Sequence, residues 1–148
     1  MSTILMLHGA NHNMFGKRDP RFYGTITLDE INQNMENLAN ELGVNLETYH
    51  SNNEGDIVNR IHKAYYDKVD AVIINAGAWT HYSYAIRDAL EILEAPFIEI
   101  HMSNIFSRDK FRHVSVLSDD AKGIICGFGF ETYQLALRAA KALLDSKK

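Results

Sequence analysis

The feature that most constrains this chain is a regular alternation of short apolar runs with segments of helical period. Apolar runs occupy residues 4–7, 71–74, 97–100 and 123–127, with a weaker one at 44–49. Runs this short read as strands, mostly buried on both faces. Between them, Leu28, Ile31, Met35, Leu38 and Leu42 recur at steps of three and four, with Thr27 and Glu30 set as a capping box and Gly43 as a stop. Ile57, Ile61, Ala64 and Tyr65 mark a second helix. Ala85, Ile86, Ala89, Leu90 and Leu93 mark a third that ends before Pro96, and Tyr133, Leu137, Ala140 and Leu144 mark the last. One further helical turn is left open after the fourth strand. The order β-α-β-α-β-α-β-α-β-α predicts an α/β fold with a parallel sheet covered on both faces. Five strands suggest the flavodoxin-like doubly wound arrangement. A length of 148 residues, 46% of them hydrophobic, suits a single domain spanning 1–148 with a sizeable core.

Charge and hydropathy remove several classes of function. Fifteen basic residues stand against 19 acidic ones, net -4, with no run of five or six like charges, which argues against nucleic acid and against a polybasic membrane patch. No apolar stretch approaches the roughly 18 residues of a membrane span, and Met1-Ser2-Thr3 leads into apolar sequence without a basic flank. A cytoplasmic protein without membrane contact is the expectation. The lone Cys126, set in Gly-Ile-Ile-Cys-Gly, is expected to be buried rather than reactive.

Ligands of doubly wound sheets bind beyond the carboxyl ends of the strands, so polar residues there carry the functional reading. The first strand ends in His8-Gly9-Ala10-Asn11-His12-Asn13, opening a connection that runs to about Ile26 and holds Lys17, Arg18 and Tyr23. Such a length suggests a lid or binding loop. The third strand ends in Asn75-Ala76-Gly77-Ala78-Trp79-Thr80-His81 and the fourth in His101-Met102-Ser103-Asn104.

Glu99 and His101 are two apart on one strand and share a face. A carboxylate in a central strand needs a partner, and the histidine supplies one suited to general acid work. The alternative is an edge strand with a solvated polar face. Arg18 and Tyr23 lie in one loop, where a guanidinium beside a tyrosine favours the phenolate that a tyrosine base requires; alternatively both are surface residues. The cluster Arg108-Asp109-Lys110-Phe111-Arg112-His113 offers a planar fork for a hydroxyl or carboxylate, or else a solvated face. Arg87 and Asp88 read by default as a structural ion pair. His8, His12, His81 and His101 invite a metal site, but there is no His-x-x-x-His helix and no Cys cluster, so no metal is expected. A flavin would want a Ser/Thr/Gly phosphate loop after the first strand, and a phospho-acceptor receiver would want acidic residues there. Neither is present.

Taken in order, the segments resemble one family, the type II 3-dehydroquinate dehydratases. The resemblance rests on Gly9-x-Asn11-x-Asn13, Gly16-x-Arg18-x-Pro20-x-x-Tyr23-Gly24, Ser51-Asn52-x-Glu54-Gly55, Asn75-Ala76-Gly77-Ala78-x-Thr80-His81-x-Ser83, Arg87-Asp88-Ala89, Ile98-Glu99-Ile100-His101-x-Ser103-Asn104, Arg112-His113 and Lys122-Gly123-x-x-Cys126-Gly127-Phe128-Gly129. It implies a flavodoxin-like fold, a dodecamer of four trimers, and anti elimination of water from 3-dehydroquinate to 3-dehydroshikimate without cofactor or metal. Both the biosynthesis of aromatics and the breakdown of quinate use that reaction.

By position, the resemblance makes Tyr23 the base, Arg18 its cation, His101 the acid, Glu99 the group that orients it, and Asn11 the residue that positions an enolate-stabilising water. Asn75, His81, Asp88, Met102, Ser103 and Arg112 become substrate contacts, with Asp88 reaching a neighbouring subunit's site. The chain departs from the family's usual Asn-Gly-Pro-Asn-Leu-Asn at His8, Ala10 and His12, bringing two imidazoles that, if charged, would favour an anionic ligand at low pH. Trp79, Tyr82 and Tyr84 are expected to enlarge the loop after the third strand. A non-catalytic paralogue and a lyase of another cyclic hydroxy-ketone are the competing readings.

Overall fold

In the computed structural model, which describes residues 1–147, five parallel strands form one sheet in the order β2-β1-β3-β4-β5. Lys148, the last residue of the expected domain, lies outside the described residues. The strands are β1 (Thr3–His8), β2 (Asn45–His50), β3 (Ala71–Asn75), β4 (Phe97–His101) and β5 (Gly123–Cys126). The helices are α1 (Pro20–Tyr23), α2 (Leu28–Leu42), α3 (Glu54–Asp67), α4 (Tyr84–Ile92) and α5 (Glu131–Asp145). The expected flavodoxin-like α/β architecture is what the chain adopts.

Side chains alternate along each strand, so the sheet splits the core in two. Ile4 and Met6 of β1 join Ile73 and Ile98 under α2 and α5, with Ile31, Met35, Tyr133 and Leu137. Leu5 and Leu7 join Val72, Ile74 and Phe97 under α3 and α4, with Ile57, Ile61, Ile86 and Leu90. Thr27 and Glu30 form the capping box of α2, and Gly43 closes it in the left-handed region at φ 73°. Full burial on both faces holds for β3 and β4, and for β1 beyond Thr3, but not for the edges. β2 and β5 are only partly covered, because an edge strand has a neighbour on one side alone. Cys126, on edge strand β5, is accordingly half-buried rather than buried, and burial pushes its thiol pKa up. The open helical turn after β4 resolves into two 3₁₀ turns, Ile105–Ser107 and Lys110–His113. Among the described residues no helix is long and apolar enough to cross a membrane.

The sheet order reverses between β1 and β3, and their carboxyl ends diverge into loops that leave a crevice there. Gly9 is required at that point. A Cβ on it would stand 2.5 Å from the Ala76 carbonyl oxygen, so only glycine lets the first loop cross the β3 end.

Candidate active site

A cleft of about 150 Å³ opens over the ends of β1, β3 and β4. Asn11, Arg18, Tyr23, Asn75, His81, His101, Met102, Ser103 and Arg112 all line it. A larger cleft, about 450 Å³, lies at the opposite end of the sheet beside Tyr65, Lys68 and Glu94, away from the carboxyl ends where such folds bind ligands.

Tyr23 is brought in by α1, a single turn begun by Pro20 and capped by Asp19, whose side chain accepts from the Arg21 N–H. Its phenolic oxygen accepts from Arg18 Nη2 at 2.9 Å and from Arg108 Nη1 at 2.8 Å. Guanidinium groups only donate, so both donors direct positive charge at one oxygen. The Arg18 guanidinium also lies 3.8 Å from the Tyr23 ring centroid, and that of Arg108 lies 4.0 Å from the Phe22 ring. Burial lowers the Arg18 pKa, opposed by its interaction with Tyr23. Arg108 donates as well to Ser103 Oγ at 3.0 Å. It was legible in the sequence only as one member of a basic cluster. Of that cluster, Arg108 and Arg112 enter the cleft while Asp109, Lys110, Phe111 and His113 are exposed. Nothing in their spacing separates the two groups.

Glu99 and His101 lie on β4, which is interior to the sheet, so the edge-strand alternative does not hold. His101 Nε2 donates to Glu99 Oε2 at 2.6 Å, which leaves Nδ1 as the nitrogen available to a ligand. The other carboxylate oxygen, Oε1, accepts from Ser115 Oγ and Ser118 Oγ, each at 2.8 Å. Burial pushes the Glu99 carboxyl upward, but the His101 hydrogen bond and charge, with the two serines, outweigh it and hold the pKa below the ordinary value. Neither serine carried any signal in the sequence. His81 stacks over His101 with centroids 6.4 Å apart and donates from Nδ1 to the Val114 carbonyl at 2.7 Å. Burial lowers its pKa.

Asn75 donates to the buried Tyr133 hydroxyl at 2.8 Å and accepts the Gly77 N–H at 3.3 Å, so its amide is fixed in one orientation. Asn11 takes the left-handed region at φ 71°, its N–H donating to Asn52 Oδ1 at 2.7 Å. Arg112 Nε is buried without a hydrogen-bond partner among the described residues, and Asp109 stands 3.7 Å away.

Three expectations require correction. Arg87 does not pair with Asp88: it binds Asp119 at 2.5 Å and Glu91 at 3.1 Å, while Asp88 is exposed on α4 and outside its own chain's cleft. Trp79 does not enlarge the loop, because it is buried in the core cluster under α3 and α4; Tyr82 and Tyr84 point to the surface. The imidazoles of His8 and His12 are not charged groups facing a ligand. His8 is buried, bonds Asn32 Oδ1 at 2.8 Å and packs against Tyr133, and burial brings its pKa down to about 4. His12 lines the cleft but is 1% exposed, and burial holds its pKa well below the ordinary range. Among the described residues no group of three or more His, Cys, Asp or Glu is arranged to hold a metal.

A doubly wound α/β protein with a guanidinium-held tyrosine and a carboxylate-held histidine in one cleft is organised for acid–base chemistry. The family described as Dehydroquinase class II matches residues 2–141. A 3-dehydroquinate dehydratase of Leptothrix cholodnii is 56% identical over 146 residues, covering 99% of this chain and 98% of its own. One from Syntrophotalea carbinolica is 57% identical, covering 97% of each chain. Among solved structures, the type II dehydroquinase from Propionibacterium acnes superposes with a TM-score of 0.92 at 41% identity, covering 96% of this chain and 97% of its own. The chain belongs to the class II dehydroquinase family, and it is a hydro-lyase.

Proposed function

We propose that this protein dehydrates 3-dehydroquinate to 3-dehydroshikimate through an enolate, with Tyr23 as base and His101 as acid. The observation that carries the reading is the Tyr23 oxygen held by two guanidiniums in the same cleft as the His101–Glu99 pair. Tyr23, as phenolate between Arg18 and Arg108, takes the proton from the carbon beside the ketone. The C–H electron pair moves to the carbonyl oxygen, where Asn11 and a water it positions support the charge. Collapse of the enolate forms the ring double bond and expels hydroxide from the neighbouring carbon on the opposite face, and His101 protonates it to water. Glu99 orients His101 and balances its positive form. Asn75, His81, Met102, Ser103 and Arg112 bind the ring, with the unpartnered Arg112 Nε suited to a ligand oxygen.

No lysine lines the cleft among the described residues, which supports direct enolisation over an imine route. Asp88, exposed on α4 and outside its own cleft, suits a contact with a neighbour's substrate. The reading therefore extends to a homo-oligomer, a dodecamer of four trimers, in one catalytic domain working in the cytoplasm without cofactor or metal. The pathway is aromatic biosynthesis or quinate breakdown. Purified protein mixed with 3-dehydroquinate should develop the absorbance of a conjugated enone, and borohydride with substrate should leave activity intact. Tyr23→Phe should fold and bind but lose about 10³-fold or more in turnover, having lost the proton acceptor. A lysine adduct trapped by borohydride, or near-normal turnover of Tyr23→Phe, would overturn the mechanism.

A further inference from the structure

His12 stands where the family's usual pattern has leucine, and its ring is built into the cleft wall with one nitrogen committed. The Gly9 N–H is shared between the Asn75 carbonyl at 2.8 Å and His12 Nδ1 at 3.0 Å; an N–H directed at Nδ1 requires a lone pair there, so the neutral ring carries its proton on Nε2. Phe15 stacks on the ring at 4.8 Å with an interplanar angle of 17°, which fixes the plane in which Nε2–H points. Nε2 comes up against Gly77, where a Cβ would stand 3.1 Å from it. Gly77 has φ 61° and itself lines the cleft. Among the described residues Nε2–H has no acceptor, yet it is not one of the sealed, unpartnered atoms of the interior. Its nearest surroundings, Gly77 and Ala10, both line the cleft.

We propose that His12 is a specificity-determining residue whose Nε2–H donates to an uncharged ring oxygen of the ligand, the ketone oxygen that gains charge on enolisation. The inference rests on the functional reading above. The ketone is favoured over the carboxylate for two reasons. His12 adjoins Asn11, at the end of the cleft assigned to enolate support, and a neutral donor fixed in one tautomer cannot supply the charge that Arg18, Arg108 and Arg112 bring for an anion. Burial keeps the ring neutral, so it stabilises the enolate by hydrogen bonding without transferring its proton. A leucine at this place would leave that oxygen one donor fewer.

The test uses wild type, His12→Leu and His12→Gln, the glutamine being able to accept from Gly9 N–H and donate from its amide. With 3-dehydroquinate, His12→Leu should lower kcat by roughly tenfold, the worth of one neutral hydrogen bond, with KM within about twofold, and His12→Gln should recover part of the loss. In ¹⁵N-histidine-labelled wild type, His12 should show the Nε2–H tautomer throughout the neutral range. Its signal should move on saturation with 3-oxocyclohexanecarboxylate and stay in place with cyclohexanecarboxylate, which lacks the ketone. A His12→Leu variant with wild-type kcat, or equal responses to the two analogues, overturns the proposal. If wild type forms no enone, the functional reading fails separately, and the pair of analogues alone decides the role of His12. If His12→Leu does not fold, His12→Gln and the spectra of wild type decide it.

Discussion

At the scale of single residues, the chemistry depends on which atoms face one another within about 3 Å. Arg108 illustrates this. It donates to the same phenolic oxygen as Arg18, from 85 residues beyond Tyr23 in the chain, and it holds Ser103 as well. Removing either arginine takes away one of the two cations that donate to the Tyr23 oxygen. Arg108→Ala should therefore reduce kcat by about 10²-fold with a smaller change in KM, in the range seen when one donor to a developing charge is deleted. Because both donors act on one atom, the double change Arg18→Ala/Arg108→Ala should cost much less than the product of the single losses, a comparison that steady-state kinetics provides. A multiplicative result would mean that the two cations serve different steps. Arg112 is the counterpart proposed for the ligand side: its side chain is 21% exposed, and its buried Nε has no hydrogen-bond partner among the described residues.

At the scale of elements, the strand ends and their loops decide stability as well as chemistry. The end of β1 buries His8, whose Nε2–H donates to Asn32 of α2 and whose Nδ1 is buried without a hydrogen-bond partner among the described residues. The folded pKa of about 4 lies below the ordinary 6.5, so folding favours the neutral ring. Above about pH 6.5 that preference has no effect on stability, because the unfolded chain is neutral there as well. As pH falls from 6.5 towards 4 the unfolded state takes up the proton first. Stability should drop by roughly 3 kcal/mol over that window. His12 and His50 are lowered by burial too and act in the same direction. His8→Asn should flatten the fall of the urea midpoint between pH 6.5 and 4, and an unchanged slope would show that His8 is not the group responsible. The connection between β4 and β5 supplies a second example, since it carries Arg108, Arg112, Ser115 and Ser118 back over the end of β4, where two of the four clamp the Glu99 carboxylate.

At the scale of the whole molecule, the proposed contact of Asp88 with a neighbour's substrate would make the assembly, and not the single chain, the functional unit. Asp88 is exposed on α4 while its neighbour Arg87 is taken up by Asp119, Glu91 and the Val116 carbonyl, so α4 presents a carboxylate without an ion-pair partner among the described residues. Asp88→Ala should raise KM at least fivefold, about the 1 kcal/mol of one hydrogen bond, while leaving the melting temperature of the fold nearly unchanged. Light scattering should find the active species to be an oligomer. A monomer of full activity, or Asp88→Ala with an unaltered KM, would exclude a site shared between subunits.

The sequence alone determined the order of the five strands and the four long helices, because period, caps and strand length are local properties: the Thr27–Glu30 box, the Gly43 stop and the buried β1, β3 and β4 all follow from neighbours within a few residues. It also determined the pairing of Glu99 with His101, since residues two apart on a strand share a face whatever the rest of the chain does. Tertiary structure decided what depends on distant segments meeting. It turned Arg108 onto Tyr23, brought Ser115 and Ser118 to Glu99, sent Arg87 to Asp119 instead of Asp88, and sank Trp79 into the core. It also changed the chemical character of His8 and His12. Histidine read from sequence carries its ordinary pKa, and only burial, a property of the assembled fold, favours the neutral form of both rings, His8 in the core beneath α2 and His12 in the cleft wall.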